Sequence, residues 1–265
     1  MSTTIAVAGK GGTGKTTIAA LLIELMATRG TVLAVDADPS VNLHMTLGLP
    51  APETIGDVRE ELGDSVRSGA LPPSMSKLEY FELRTREAMV ESTGLDLVAM
   101  GRPEGPGCYC AANYALRLFL DRLADAYDYV VIDNEAGMEH ISRQTERDIH
   151  TLVLVSDPSI RGITAAGRMQ ALIRDLRTKV DQVYLVVNRV NGDLSPQVQE
   201  AIRGQGLKLL SLVPSDPAVE ELDARGRPIV ELPPGSPVRE AVRDLARKLG
   251  FSETSSPEGA RTTST

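Results

Sequence analysis

The chain has 265 residues, of which 42% are hydrophobic, enough to bury the core of one large α/β domain or two small ones. Its 28 basic and 36 acidic residues leave a net charge of −8, without the basic excess of a dedicated nucleic-acid binder, and an aromatic content of 3% with no Trp argues against a stacking platform for single strands. The start MSTTIAVAG lacks the charged, then long apolar, pattern of a secretory signal, and no apolar run reaches the roughly 18 to 20 residues that cross a bilayer, so a cytoplasmic chain with no membrane partner and no nucleic-acid partner is expected.

Apolar runs rich in Val and Ile recur along the chain and alternate with helical patterns. They read as strands buried on both faces of a mostly parallel central sheet flanked by helices, an α/β fold. The first run, Thr4–Ala8, leads into Gly9-Lys10-Gly11-Gly12-Thr13-Gly14-Lys15-Thr16-Thr17, and a helix is expected over Lys15–Arg29. Gly9 through Gly14, Lys15 and Thr16 satisfy the phosphate-loop spacing, in its required place between strand and helix. The glycines let backbone N–H groups turn inward around phosphates, and the helix N-terminus adds partial positive charge. Lys15 is expected on the β and γ oxygens of ATP, and the Thr16 hydroxyl on Mg²⁺.

The second run, Val32–Val35, closes in Asp36-Ala37-Asp38-Pro39. These two carboxylates lie at the carboxyl end of a strand, where open α/β sheets bind ligands. Asp36 is expected in the Mg²⁺ shell, although the pattern alone does not decide which of Asp36 and Asp38 takes that place and which orients the attacking water. His44, farther on among apolar residues, reads as packed. Residues 50–94 break the rhythm with Pro50, Pro52, Pro72 and Pro73 and read as helical insertions and loops ahead of a strand Leu95–Ala99.

Next comes Cys108-Tyr109-Cys110, the chain's two cysteines, too few for a disulfide framework. In an extended segment residues i and i+2 project to one side, so both thiolates can grip one ion. Two thiolates fill half of a tetrahedral Zn²⁺ or Ni²⁺ site, and a homodimer axis through the metal supplies the rest. Packed cysteines without metal are the competing reading of so short a motif.

A helix is expected over Ala111–Ala126. The strand Tyr129–Ile132 then ends in Asp133-Asn134-Glu135-Ala136-Gly137, an apolar run closed by an acid. Asp133 is expected to hold Mg²⁺ through water, and Gly137 to let the backbone approach the γ-phosphate. Glu139 and His140 follow, the latter read as packed or capping. Further strands are expected at Leu152–Val155, Val183–Val187 and Leu207–Val213, and helices at Ile163–Arg177, Pro196–Gly204 and Pro237–Leu249. Residues 1–250 read as one domain and 251–265 as a polar, disordered tail.

Lys10, at the second position of the phosphate loop, gives the pattern of the deviant Walker A branch. The chain here resembles the MinD/ParA/NifH/ArsA class of dimeric P-loop ATPases. The resemblance implies that Lys10 reaches the partner subunit's phosphates, that Asp38 orients the attacking water, that Asn188 bonds the adenine edge, and that the loop from Pro214 packs on the base. The loop, Cys108-Tyr109-Cys110 and Asp-Asn-Glu-Ala-Gly-Met-Glu-His-Ile, in this order and spacing, are similar to the CooC-type ATPases, which assist nickel insertion into carbon monoxide dehydrogenase, and to relatives serving acetyl-CoA synthase. That resemblance spans roughly residues 3–250. It implies a homodimer that holds one Ni²⁺ or Zn²⁺ on four thiolates and couples its release to ATP hydrolysis. A partitioning or positioning ATPase of the ParA or MinD kind is one alternative. An iron–sulfur reductase like NifH is another, although that type takes its cluster cysteines from two distant positions.

Overall fold

The computed structural model describes residues 2–101, 122–134, 149–175 and 179–251. Eight strands form a single sheet there: β1 Thr3–Gly9, β2 Val32–Ala37, β3 Val90–Ser92, β4 Leu95–Ala99, β5 Tyr129–Asn134, β6 Ile149–Ser156, β7 Val180–Val190 and β8 Leu209–Pro214. Their order is β3-β4-β2-β5-β1-β6-β7-β8. All neighbours run parallel except the hairpin of β3 and β4. All seven expected strands are present. Several extend beyond the apolar run, and β3, an edge strand too short and polar to read from sequence, was not foreseen. The strand around Leu207 begins instead at Leu209, after the turn at Gly206 (φ +62°).

Eight helices are described: α1 Lys15–Ala27, α2 Leu43–Leu47, α3 Ile55–Ser68, α4 Lys77–Ala88, α5 Ile160–Asp175, α6 Pro196–Gly204, α7 Pro217–Ala224 and α8 Pro237–Lys248, with a 3₁₀ turn at Ile229–Glu231. The insertion expected at residues 50–94 holds α3 and α4. Each starts on a capping box, Thr54 with Asp57 and Ser76 with Glu79, which satisfies two orphan N–H groups at each helix start. Arg84 ties the pair together by bonding Glu61 of α3, Glu53 and Glu87. The helix expected to run on to Arg29 stops at Ala27, because Gly30 and the Thr31–Asp128 hydrogen bonds turn the chain into β2.

Strand alternation divides the core in two. On one face Ile5, Val7, Ala34, Val131 and Val186 pack under α1 and α8. On the other, Ala6, Leu33, Ile132 and Leu185 pack under α3, α4, α5 and α6. With a period of two, Asp36 shares the α1 face with Ala34, Asp133 with Val131, and Asn188 with Val186. The register sets Asp36 directly beside Asp133. Three polar residues scattered through the sequence therefore converge on the start of α1.

Candidate nucleotide and metal site

The phosphate loop forms the turn between β1 and α1. Its glycines are required for different reasons. A Cβ on Gly9 would lie 2.1 Å from the Val155 carbonyl oxygen of β6, so the chain fits there only without a side chain. Gly12 and Gly14 take φ of +78° and +88°, in the left-handed region that L side chains rarely adopt. Thr13 closes the turn, its hydroxyl donating to the Lys10 carbonyl at 2.8 Å. Lys15 is buried at 7% exposure, whereas Lys10 stands exposed at the loop's outer edge.

The Thr16 hydroxyl donates to Asp133 Oδ2 at 2.6 Å. The other Asp133 oxygen is buried and has no partner among the described residues. Burial, and secondarily the Asp36 carboxylate, push the Asp133 carboxyl up to about 7, with the Thr16 hydrogen bond and the Lys15 charge opposing. A buried, unsatisfied carboxylate oxygen beside a threonine hydroxyl and a buried lysine fits a hydrated Mg²⁺ carried in with phosphates. Mg²⁺ in such sites takes only one or two protein ligands, its remaining oxygens coming from water and nucleotide. When bound, Mg²⁺ would neutralise charge on the β and γ oxygens. Among the described residues no three His, Cys, Asp or Glu side chains form a metal cage.

The two carboxylates at the carboxyl end of β2 differ sharply in their surroundings. Asp36 is fully buried, and its oxygens accept from the Asp38 N–H at 3.1 Å and the Leu43 N–H at 2.9 Å. Burial raises its pKa, and those two backbone bonds oppose the rise. Asp36 therefore organises the loop between β2 and α2. Asp38 is half-exposed and anchors only one oxygen, Oδ1, to the N–H and hydroxyl of Ser40 at 2.9 and 2.5 Å. The other oxygen engages no described residue, so Asp38 has the freer carboxylate. The loop ends on Val41 at φ +49°, strained for a β-branched residue. Val41→Gly is expected to raise the melting temperature by a few degrees, corresponding to about 1 kcal/mol, which thermal denaturation checks.

Asn188 ends up in the loop wall. Its Nδ2 donates to the Thr13 carbonyl at 2.8 Å and its Oδ1 accepts from the Arg189 N–H, so the amide latches β7 to the phosphate loop. The Gly14 position lies against it, a Cβ there falling 2.3 Å from Nδ2. Arg189 follows at φ +58°. Pro214 pairs with Val190 at the end of β8, on the same edge. Just beyond it is a buried pair that the sequence reading missed. Asp216 caps α7 through the Ala218 N–H and accepts from the Ser236 hydroxyl at 2.6 Å, while Ser236 caps α8. The signal was present twice, a polar cap followed by Pro, at Asp216-Pro217 and Ser236-Pro237. Asn134 was also missed. Its Nδ2 bridges to the Val7 carbonyl, tying β5 to β1 below the loop. On α2, His44 keeps one ring nitrogen buried and without a partner among the described residues. Cys108, Cys110, Gly137, Glu139 and His140 lie outside the described residues.

A parallel sheet with a glycine turn between its central strand and a buried helix, faced by Thr16 and Asp133, defines a P-loop nucleotide-binding protein of the MinD/ParA type. The chain belongs to the CobQ/CobB/MinD/ParA nucleotide-binding domain family, which it matches over residues 4–229. It is 40% identical to an uncharacterised ATP-binding protein of Methanocaldococcus jannaschii, across 92% of this chain and 97% of that one. It is 32% identical to the carbon monoxide dehydrogenase accessory protein CooC of Rhodospirillum rubrum, across 92% and 94%. Septum site-determining protein MinD of Bacillus subtilis is 26% identical, across 91% and 86%. In fold it resembles a ParA family ATPase of Chlorobium tepidum, with a TM-score of 0.69 at 21% identity over 94% and 98% of the chains. MinD of Pyrococcus horikoshii, solved with Mg-ADP, gives 0.67 at 21% identity over 94% and 96%. No helix among the described residues is long and apolar enough to cross a membrane.

Proposed function

We propose that this protein is an ATP-hydrolysing metallochaperone, assisting nickel insertion into carbon monoxide dehydrogenase or acetyl-CoA synthase by nucleotide- and metal-linked dimerisation. The observation that carries the ATPase part is the hydrogen bond from Thr16 to a buried Asp133 whose second oxygen is unsatisfied. It supports Mg·ATP held by Gly9, Gly11, Gly12, Thr13, Gly14, Lys15, Thr16 and Thr17. Asp38, with one oxygen open, orients the attacking water, and Asp36 fixes the loop that carries it and borders the magnesium shell. Asn188 and Pro214 form the base end of the site. With its amide engaged on the phosphate loop, Asn188 would act there mainly by fixing the loop.

The metal-carrying part rests on Cys108 and Cys110 and on the likeness to CooC. Four thiolates from two subunits would hold one Ni²⁺ or Zn²⁺ as cargo. A metal and an ATP that each bridge two subunits both favour the dimer, so each changes the affinity of the other. The same linkage connects hydrolysis to release.

The exposure of Lys10 supports a role in trans. In Lys10→Ala, hydrolysis is expected to fall by about a hundredfold or more while ATP affinity stays within a few-fold, as for a charge-stabilising group supplied by a partner. Single-turnover hydrolysis together with equilibrium nucleotide binding checks this, and equal losses in both would place Lys10 in ground-state binding instead. The MinD relatives keep a positioning ATPase in view. Liposome or DNA binding that depends on ATP would favour it.

A further inference from the structure

We propose that the Arg189 guanidinium lies flat against the base of the bound nucleotide and supplies affinity that does not depend on which base it is. The proposal rests on the ATP-binding reading above and adds to it the side chain that grips the base. Among the described residues only Val41 and Arg189 are non-glycine residues at positive φ, +49° and +58°. Both stand at the carboxyl edge of the sheet, Val41 after β2 and Arg189 near the end of β7, the edge from which the phosphate loop also rises. A Cβ crowds the backbone in this region, which is why glycine is favoured there, and side chains kept at such positions cluster at functional sites. The same connection uses glycine three residues on, where Gly192 takes φ +74°. At 189 a long side chain is kept at a backbone cost.

Two hydrogen bonds hold the strained conformation. The Arg189 N–H donates to Asn188 Oδ1 at 2.9 Å, and the Ser215 N–H donates to the Val190 carbonyl at 3.1 Å. Asn188 in turn grips the phosphate loop, donating from Nδ2 to the Thr13 carbonyl at 2.8 Å. Arg189 is thereby fixed between the loop that takes the phosphates and the end of β8 at Pro214, and the β7–β8 ladder breaks register between Val187 and Val190 to place it there. Its side chain is exposed, whereas those of Asn188 and Asp216 to either side are buried.

Those two buried side chains are poorly placed to read a base, because each of their polar atoms already has a protein partner. Asn188 is engaged as above. Asp216 accepts from the Ala218 N–H at 2.9 Å through one oxygen and from the Ser236 hydroxyl at 2.6 Å through the other. Both serve the scaffold. A base laid along this edge from the phosphate loop meets a planar cation instead of a free amide or carboxylate. A guanidinium stacks on the π face of any base, so it adds affinity with little selection among bases.

Isothermal titration calorimetry of the full chain in Mg²⁺ tests this with ATP, GTP and inorganic tripolyphosphate, which carries phosphates and no base. Arg189→Ala is expected to weaken ATP and GTP alike by about tenfold and to leave tripolyphosphate unchanged. Arg189→Lys, which keeps the charge but not the plane, should lose nearly as much. Arg189→Gly should melt a few degrees higher by relieving the backbone, yet bind ATP as poorly as Arg189→Ala, an outcome that a merely structural residue would not give. Wild-type ATP affinity in Arg189→Ala or Arg189→Gly, or an equal loss for tripolyphosphate, would each overturn the proposal while leaving the nucleotide reading intact. A wild type that binds neither ATP nor tripolyphosphate would sink that reading and this proposal with it, so the two failures are told apart.

Discussion

Asp133→Asn is expected to stabilise the nucleotide-free protein at pH 8 and to lower Mg²⁺-dependent ATP hydrolysis by about a hundredfold or more. Both effects have the same cause. Burial lifts the Asp133 carboxyl from an ordinary 3.8 to about 7. A carboxyl raised on folding contributes stability that is fully present below about pH 4 and is lost as the pH rises through about 7. Above that window the wild-type site holds a buried carboxylate with one unsatisfied oxygen. Asparagine keeps an acceptor for the Thr16 hydroxyl without the charge. The gain should be of order 4 kcal/mol at pH 8, from a carboxyl lifted from 3.8 to about 7 at about 1.4 kcal/mol per pH unit. It should shrink toward zero at pH 4 to 5. Mg·ATP should raise the melting temperature of the wild type much more than that of the variant. Scanning calorimetry at several pH values reads the first part and phosphate release the second. A stability difference independent of pH, or hydrolysis left intact, would contradict this account. Stability withheld until the ligand arrives is the usual cost of a charged site.

Gly9→Ala should cost more than about 4 kcal/mol and leave little folded protein, whereas Gly12→Ala, three residues away, should cost about 1 kcal/mol and fold. The contrast follows from what each added methyl would meet. At Gly9 it falls 2.1 Å from the Val155 carbonyl oxygen, a backbone atom fixed by the β1–β6 ladder in which Gly9 and Val155 are partners. Relief would require unzipping the centre of the sheet. At Gly12 the added methyl meets nothing within 4 Å, so only the positive φ of +78° is penalised. Urea titration of both variants provides the check. Equal stabilities would show that the loop, and not its seat against β6, sets the requirement for glycine.

Much of this was legible in the sequence, because the strongest signals are local. The glycine loop specifies its own turn, and a strand with an acid at its end announces a ligand edge. The strands were found through continuous apolar runs, which parallel sheets demand. Their ends were not, because Asp36, Asp133 and Asn134 continue the ladders as polar residues. The sequence also placed Asp36 and Asp38 as near equals. They differ only because two backbone amides close on Asp36, a consequence of how the chain turns into α2. Asn188 shows the same limit. Its position at a strand end pointed to the site, but its partner, the Thr13 carbonyl, is 175 residues distant in sequence. The buried Asp216–Ser236 bond is a tertiary pairing of two caps, each locally visible, whose meeting no local pattern encodes. The short helices α2 and α7 went unread because neither fills the window of about 11 residues over which a helical period is read.

The central claim is that two subunits share one metal through Cys108 and Cys110. The most direct test is titration of the metal-free protein with Ni²⁺ or Zn²⁺, molecular mass being followed by light scattering with and without ATP. The account predicts one ion per two chains and a dimer strengthened by ATP, with metal binding lost in Cys108→Ser/Cys110→Ser while nucleotide affinity is kept. No metal uptake, or a dimer driven by ATP alone and unchanged in the cysteine variant, would contradict it and return the protein to the positioning ATPases of its family.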